Sequence, residues 1–298
     1  NPRYNNISID GAVNNDVIGL ADTGTPGGQT GSNPIQLDAV QELQLVTSSF
    51  DVRPGGCTGG SVNIITKSGT NNCHGGLFGY TSSDSWVGGG PDYFGEFGTY
   101  EDTEYGFTLG GPIAKDKLFF FANYGHNTYD APTGYSLDGT TGECWQNCDY
   151  VDEAAELLQY MMDEYGYDAG ELGEQTRERP SDKIFLRFDW NLNQSHNFLL
   201  RYNYVDGANL VNRPSDWTYE WDSEAYDMKS ETNSFVGQWN AVFGASSFNE
   251  LRVTYQTIRD RRSPPGPDFP WIEIEDPFET GGERELGAEN YTTNNALD

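Results

Sequence analysis

The side chains of this sequence that could do chemistry are mostly acidic. The chain has 46 aspartates and glutamates, three histidines and four cysteines. No GxSxG or HExxH motif and no cysteine–histidine dyad occurs, and the aspartate spacings do not complete an EF-hand loop. A glycosidase-type pair of carboxylates stays open, because such pairs come together only in space. We therefore predict no catalytic centre, no metal site and no cofactor, which means that the protein is not an enzyme.

The four cysteines are Cys57, Cys73, Cys144 and Cys148. They lack the CxxC pairs and the histidine partners of a zinc site. An even number of cysteines fits disulfide bonds in an oxidising compartment, such as the periplasm or the cell surface, better than a reducing cytosol. Four cysteines allow three pairings, and free buried thiols are an alternative, so the cysteine count alone does not choose.

The charge balance excludes one class of partner. The formal net charge is −29 and the pI is about 4.1. Such a surface repels nucleic acid, and no basic patch offsets it, so we predict no nucleic-acid partner. Two interpretations of the acidity stay open: solvated acidic loops, or attraction of a cation or cationic ligand to a mouth lined by one sign of charge.

A glycine-rich stretch at 33–68 organises the N-terminal part of the chain. Apolar and β-branched residues at 42–47 and 61–66 flank a Pro-Gly-Gly break, which predicts two short strands around a glycine hinge. Upstream, 8–16 is typical of a strand that enters an Asp-Gly turn, and 34–41 could hold a helical turn. A nucleotide-binding loop is excluded, because no Gly-Lys-Ser/Thr ending and no helix pattern follow the glycines.

From residue 75 onward the sequence has the rhythm of β-strands about ten residues long. Apolar residues alternate with mostly polar ones, which is typical of a wall with one apolar face and one wet face. No run of 18 apolar residues exists, so no membrane-spanning helix is predicted. The candidate strands are 76–82, 104–111, 118–126, 182–192, 197–206, 232–243 and 248–258.

The connections between these strands alternate strictly between short and long. Tight turns are predicted at 114–117, 193–196 and 244–247, and long links at 83–103, 127–181, 207–231 and from 259 to the end. Short turns on one side and long loops on the other are typical of an antiparallel transmembrane β-barrel, with the turns in the periplasm. A soluble β-sandwich, and with it a soluble β-rich binding module, has no reason to sort its loops in this way.

The alternation also assigns faces to the strands. The predicted lipid-facing residues are Ile184, Leu186, Phe188, Trp190, Phe198, Leu200 and Tyr202. The predicted lumen-facing residues include Arg187, Arg201, Gln238 and Arg252, which offer exchangeable hydrogen bonds rather than an apolar seal. The 127–181 link has an amphipathic helical pattern at 151–165, which we expect to pack against the rest of its own loop. The proline-rich segment after 259 is expected to be a loop with no return strand.

Three motifs connect this pattern to a known family. They are RYNNISIDGAVNND at 3–16 with GTPGGQ at 24–29, the VNIITK strand at 62–67 after its glycine-rich turn, and LGGPIAKDKLFFF at 109–121. Together they resemble the TonB-dependent outer-membrane transporters, and specifically their Oar-like branch. The resemblance is close over roughly the first 125 residues, and beyond them only the strand rhythm is family-like.

The resemblance implies an architecture. Residues 1–72 would form the C-terminal part of a small α/β plug domain inside the lumen, and 73–298 the N-terminal part of an incomplete barrel, about seven strands long. We expect the chain to start inside the plug domain, with any TonB box upstream of Asn1. The implied plug motif consists of Asp10, Gly11, Asn14, Asn15, Asp51, Arg53, Gly55, Gly56, Gly59, Gly60, Asn63 and Lys67.

The resemblance also implies a pairing of the cysteines. Oar-like proteins commonly carry a phenylalanine in GGFTGG and another just before the His-Gly that opens the barrel, and here both positions are cysteine. Two bulky residues replaced together suggest a Cys57–Cys73 bond, with Cys144 and Cys148 bonded to each other in an outer loop. The Cys57–Cys73 bond would close a loop of about sixteen residues, worth roughly 3 kcal/mol in the chain-entropy model.

By resemblance, the protein would import an unidentified extracellular ligand across the outer membrane of a Gram-negative bacterium. Its partners would be outer-membrane lipid and the TonB complex of the inner membrane, which would pull on the plug. The alternative is a surface-interaction or secretion-associated barrel without import. The substrate-binding residues stay unknown at this stage.

Overall fold

The computed structural model describes most residues of the chain. No helix among the described residues is long and apolar enough to cross a lipid bilayer. The described residues are 6–16, 24–46, 60–86, 99–133, 136–137, 148–173, 176–211, 219–264, 269–274, 278–280 and 290–297.

The N-terminal residues form a small four-stranded sheet, here called the N-terminal sheet. Its strands are β1 (Asn6–Ile9), β2 (Ala12–Val13), β3 (Val40–Val46) and β4 (Ser61–Thr66), in the spatial order β2-β1-β4-β3. The β3–β4 pair is antiparallel, as predicted, whereas β1 and β4 are parallel. The predicted helical turn is present as a short 3-10 helix at Leu37–Ala39. The glycine hinge between β3 and β4 lies largely outside the described residues.

Eight strands from His74 onward build one antiparallel sheet, here called the wall. Each strand pairs with the next one along the chain, so the sheet is a meander, as an outer-membrane barrel requires. Because its two edge strands do not pair with each other, the wall is an open part of a barrel. Its strands are β5 (His74–Ser83), β6 (Glu101–Ala114), β7 (Leu118–Pro132), β8 (Thr176–Asn193), β9 (His196–Val211), β11 (Tyr226–Phe243), β12 (Ser247–Ser263) and β15 (Asn290–Leu297).

All seven predicted strands are present, and most are several residues longer than predicted. The prediction of no return strand is wrong, because β15 pairs with β12 from Arg262↔Asn290 to Tyr255↔Leu297. The three predicted tight turns are confirmed, since β6–β7, β8–β9 and β11–β12 are joined by three residues or fewer. The long links all leave from the opposite end of the wall.

The two faces of the wall differ as predicted. Along β9, Arg201, Asn203 and Val205 point inward and are at most 4% exposed. Leu200, which precedes them and lies on the other face, is 56% exposed. The same alternation holds along β8, β11 and β12, so the predicted lipid-facing and lumen-facing residues lie on the expected sides.

Three of the long links fold together into a unit, here called the outer cap. It contains α1 (Val151–Tyr165) and a small sheet of β10 (Tyr219–Glu220), β13 (Ile272–Ile274) and β14 (Phe278–Thr280). The helix has the predicted bounds and packs against Leu137, Tyr167 and Ala169 of its own link, as predicted, but the prediction did not include its contact with other links. Its apolar side shares a core with residues of the two following links. The core residues are Leu137, Ala154, Met161, Tyr167, Ala169 and Trp221, with Phe269 and Ile272 packed against them.

Candidate functional site

The candidate site is the interface between the N-terminal sheet and the inner face of the wall, and Asp10 lies at its centre. Asp10 and Gly11 form the turn between β1 and β2, with positive φ angles of 49° and 76°. This conformation suits the Asp-Gly sequence that the prediction used. The Asp10 carboxylate accepts hydrogen bonds from the Thr66 backbone N–H at 2.9 Å and from the Thr66 hydroxyl at 2.8 Å. It therefore ties β1 to the end of β4.

The same carboxylate forms ion pairs with two arginines of the wall. Arg201 and Arg187 face each other across β8 and β9, and their Nη1 atoms lie 3.1 Å and 3.5 Å from the Asp10 oxygens. Arg201 is only 1% exposed and also donates to the Ile9 carbonyl. A charge buried this deeply is strongly destabilising when its partner is removed, so Asp10 and Arg201 depend on each other.

Arg187 and Arg252 each pair with a carboxylate of the wall itself. Arg187 donates from Nη2 to Asp189 at 2.8 Å, and Arg252 from Nη2 to Glu250 at 2.8 Å. The Arg252 Nη1 also donates to the Gly11 carbonyl at 2.9 Å. The three guanidinium groups and the three carboxylates thus balance in charge. Of the three arginines, Arg201 has its only ion pair with the N-terminal sheet among the described residues.

Further hydrogen bonds join the wall to the segment between β2 and β3, toward the outer cap. Gln256 donates to Asn14 at 2.8 Å, Asn203 to the Pro34 carbonyl at 2.9 Å, and Asn209 to the Gln29 carbonyl at 2.7 Å. Two more bonds run from Tyr226 to the Gln29 side chain and from Gln36 to Glu104. The sequence predicted only some of these wall partners. Most of them lie at alternate positions along the strand from Arg201 or Arg252, and this period-two spacing is the signal that could have identified them.

Glycines of the wall make room for this contact. A side-chain carbon at Gly207 would collide with the Ser32 hydroxyl, and one at Gly125 with the Gln36 amide. Both glycines face inward on the strands that the N-terminal segment crosses. Their lack of a side chain is therefore a requirement of close approach between the wall and the segment that joins β2 to β3.

Part of the interface is apolar, which corrects the expectation of a purely exchangeable polar seal. Phe121 and Phe185 of the wall are 2% and 1% exposed and lie 6.2 Å apart between ring centroids. They pack with Ile9, Ile35 and Ile64 of the N-terminal part into one core cluster. The N-terminal sheet is thus held by a small apolar patch surrounded by hydrogen bonds.

The other predicted motif residues that the structure describes hold the N-terminal sheet together. Asn15 accepts from the Ile7 N–H at 2.8 Å, Asn63 accepts from the Gly11 N–H at 2.9 Å, and Lys67 donates to the Asp38 carbonyl at 2.8 Å. The Gly60 carbonyl accepts from the Asn6 N–H at 3.0 Å. Outside the described residues lie Asp51, Arg53, Gly55, Gly56 and Gly59.

The cysteines give no support to the predicted bridges. Cys73 is exposed and its thiol is free. Its predicted partner Cys57 and the loop residue Cys144 lie outside the described residues, and the side chain of Cys148 is not described. Both pairings stay predictions.

A polar pocket of about 200 Å³ opens beside the interface, toward the outer cap. Within it the Arg179 guanidinium lies 5.5 Å from the centre of the Tyr129 ring and donates from Nε to Asn209 at 3.2 Å. Hydroxyl groups and one carboxylate complete the lining, so the pocket offers both hydrogen-bond donors and acceptors. Its lining residues are Thr30, Gly31, Ser32, Asp102, Asn127, Tyr129, Arg179 and Ser181.

In the outer cap, burial shifts the pKa of one tyrosine side chain, Tyr167. Tyr167 is 3% exposed and stacks on Phe269 with ring centroids 3.9 Å apart. Burial raises the pKa of Tyr167 above its ordinary value, and the nearby carboxylates of Glu224 and Asp168 act in the same direction, against a hydrogen bond with Ser223 that lowers it. The phenol therefore stays neutral inside the cap.

Comparisons with known proteins agree with this architecture. The family model described as an outer membrane beta barrel domain matches residues 65–143. TonB-dependent transporter Oar of Myxococcus xanthus is 31% identical over 128 residues, which cover 40% of this chain. A probable TonB-dependent siderophore receptor, PirA of Acinetobacter baumannii, is 33% identical over 104 residues, which cover 33% of this chain. The chain spans 12% of the length of each of these two relatives.

Solved structures resemble the whole chain. The outer membrane transporter YddB from Escherichia coli superposes with a TM-score of 0.65 at 14% identity, covering 99% of this chain and 37% of that one. The siderophore receptor PirA from Acinetobacter baumannii gives a TM-score of 0.59 at 16% identity, with the same coverage. These structures share the fold, and the matches together indicate the outer membrane of a Gram-negative bacterium.

Proposed function

Because the chain is related to the TonB-dependent outer-membrane transporters, we propose that it works as an outer-membrane receptor that imports a ligand by movement of a plug. The wall is part of the barrel, and the N-terminal sheet, with residues 1–72 as its domain, is part of the plug. Residues 73–298 belong to the barrel. The TonB complex of the inner membrane supplies the force that moves the plug.

The observation that carries this proposal is the interface centred on Asp10. A wide barrel leaves an aqueous channel unless something fills its lumen. The N-terminal sheet and the segment between β2 and β3 cover the inner face of the wall through hydrogen bonds that water can replace, with only a small apolar patch. Such a contact closes the lumen while no force acts on the plug, and a pulling force can still break it.

The ligand enters from the side of the long links. The polar pocket beside Arg179 is our candidate for first contact, because it lies between the plug and the wall below the outer cap. The related receptor of Acinetobacter baumannii is named as a probable siderophore receptor, and a siderophore is one candidate ligand here.

One observation favours the alternative function, a surface-interaction barrel without import. The outer cap is an ordered unit with its own core, and exposed acidic residues such as Glu153 and Glu156 cover the outer side of α1. A partner could bind there while the N-terminal sheet never moves.

The two bridges belong to the same proposal. A Cys57–Cys73 bond would limit how far the last plug strand can unravel from the wall, so unfolding under force would begin upstream of Cys57. Peptide mapping of the full-length protein under non-reducing conditions tests both bridges. A 57–144 or 57–148 link, or free thiols at 57 and 73, would remove this part of the proposal.

Import is tested by accumulation. Cells that express the full-length protein are incubated with fractionated spent growth medium, and periplasmic compounds are identified by mass spectrometry. We expect at least one compound to accumulate only in expressing, energised cells and to be lost with an uncoupler. Compounds that bind the cells without energy-dependent accumulation would support the surface-interaction alternative instead.

A further inference from the structure

The outward face of the wall carries an apolar groove of about 510 Å³. This volume lies within the range of about 300–1,000 Å³ that sites for small molecules occupy. The groove crosses neighbouring strands from β7 to β12, and every outward side chain along it is apolar. Its main lining residues are Phe188, Trp190, Leu200, Trp239, Leu251 and Val253.

Gly237 forms the floor of this groove. It lies on β11 between Leu200 of β9 and Val253 of β12, its partners in the two neighbouring strands. A Cβ atom at Gly237 would meet nothing within 4 Å, so packing within the protein does not require a glycine there. A glycine inside a strand weakens it and often marks a bulge, a tight bend, or the close approach of a ligand or another backbone. The register of β11 with both neighbours is unbroken at Gly237, which argues against a bulge.

The groove lies in the half of the wall next to the tight turns. Trp190 is close to the end of β8, and Trp239 stacks on His196 at the start of β9, with ring centroids 5.9 Å apart. Short turns of outer-membrane barrels face the periplasm, so this half of the wall contacts the inner leaflet. Aromatic residues at this level are typical of the membrane–water boundary.

Two cations lie at the periplasmic end of the groove. Lys115 and Lys117 are exposed in the turn that leads into Leu118, which lines the groove. Neither ammonium group forms an ion pair with a described carboxylate. Asp116 lies between them in the same turn, and its carboxylate accepts a hydrogen bond from the Asn71 amide at 2.6 Å. In a chain with a net charge of −29, the two lysines beside an apolar groove still outnumber this carboxylate and provide a local site for a phosphate group.

We propose that this groove binds one acyl chain of an anionic phospholipid from the inner leaflet, with the phosphate at Lys115 and Lys117. The apolar lining accepts the chain, Gly237 gives it depth, and the lysines select the headgroup. The site rests on the membrane position of the wall and not on ligand import. It is therefore independent of plug movement.

Native mass spectrometry of the full-length protein, extracted from outer membranes in a mild detergent, tests the proposal. We expect a retained lipid with the mass of phosphatidylglycerol on the native protein. Gly237→Leu fills the groove and should remove that lipid. Ala122→Leu, which adds the same bulk at an outward position of β7 outside the groove, should keep it. Lys117→Gln should exchange phosphatidylglycerol for phosphatidylethanolamine.

Val253→Trp fills the groove from a second strand, so the test stays decisive if Gly237→Leu does not fold. Folding of each variant is judged by heat-resistant migration in gels. The proposal is overturned if the native protein retains no phospholipid, or if the folded filling variants retain as much lipid as Ala122→Leu. Retention of lipopolysaccharide alone would assign the groove to the outer leaflet and would also overturn it.

Discussion

At the scale of residues, the account depends on one carboxylate. Asp10 connects the β1–β2 turn to Thr66 within the N-terminal sheet and to Arg201 in the wall. Asp10→Ala leaves the Arg201 guanidinium buried without its partner, beside Arg187 and Arg252, which repel it. Loss of one member of a buried ion pair costs about 3–5 kcal/mol. We therefore expect the N-terminal sheet to detach more easily while the wall stays folded.

Hydrogen exchange of the full-length protein measures this effect. Peptides covering β1, β2 and β4 should lose protection in Asp10→Ala, and peptides of β8 and β9 should lose little. Asp38→Ala is the matched control, because it removes a carboxylate from the same part of the chain without touching the wall. Equal protection of β1 in the two variants would contradict the role of Asp10.

Tyr167 gives the outer cap a dependence on alkaline pH. Its pKa is raised in the folded cap, chiefly by burial, so the unfolded cap loses the phenol proton first. The stabilising effect is complete below the ordinary tyrosine pKa of about 10 and is lost as the pH rises beyond it. We expect proteolysis of α1 to accelerate above this pH in the native protein and less in Tyr167→Phe. The same acceleration in both would exclude Tyr167 as the cause.

At the scale of elements, the alternation of the wall strands decides the membrane assignment. Arginine at Leu200, on the outward face, should destabilise the barrel by about 2–4 kcal/mol if the site is at mid-bilayer. Arginine at Asn240, which faces the lumen and is exposed, should cost much less. Asn203 is no suitable comparison, because it is buried against Pro34. Denaturant titration in lipid vesicles gives both values, and similar losses would remove the membrane assignment.

The outer cap makes a prediction about a long-range effect. Trp221 is fully buried against α1 although it belongs to a different link. Truncation of such a large core side chain costs about 3–5 kcal/mol, so Trp221→Ala should expose α1 to protease. Trp86→Ala is the control, because Trp86 is 70% exposed in another link. Unchanged protection of α1 in Trp221→Ala would show that the links fold separately.

The sequence predicted the strands well because period-two alternation is a local signal. It also predicted α1 to the residue, since Ala154, Leu157 and Met161 repeat at helical spacing. It missed the packing of α1 on Trp221, because contacts between links leave no local pattern. It also missed β15, whose residues are mostly polar and which pairs with β12 through backbone hydrogen bonds.

The interface was predictable on one side only. Asp10 and Gly11 were found from motif resemblance, and Arg187, Arg201 and Arg252 from strand alternation. The sequence does not show that these residues contact each other. The contact depends on how the N-terminal sheet is placed against the wall. The apolar contact of Phe121 and Phe185 was missed for the same reason. Both residues face a lumen that was predicted to be wet, and the sequence does not show which apolar residues pack against them there.

At the scale of the whole molecule, the central claim is that the N-terminal sheet is a plug that rests against the wall and moves when the cell is energised. The contact between Asn14 and Gln256 reports this directly, because Asn14 directly follows β2, Gln256 lies in the wall, and their side chains are 2.8 Å apart. Cysteines at both positions, in a full-length protein with Cys57 and Cys73 replaced by serine, should cross-link in resting cells. Movement should separate them.

The decisive measurement is the yield of this cross-link in living cells with and without an uncoupler. Cysteines at Val236 and Thr254, which are paired within the wall, provide the control. We predict that energised cells show a lower 14–256 yield than uncoupled cells, with no change in the 236–254 yield. A 14–256 yield that is the same in both states would contradict the account.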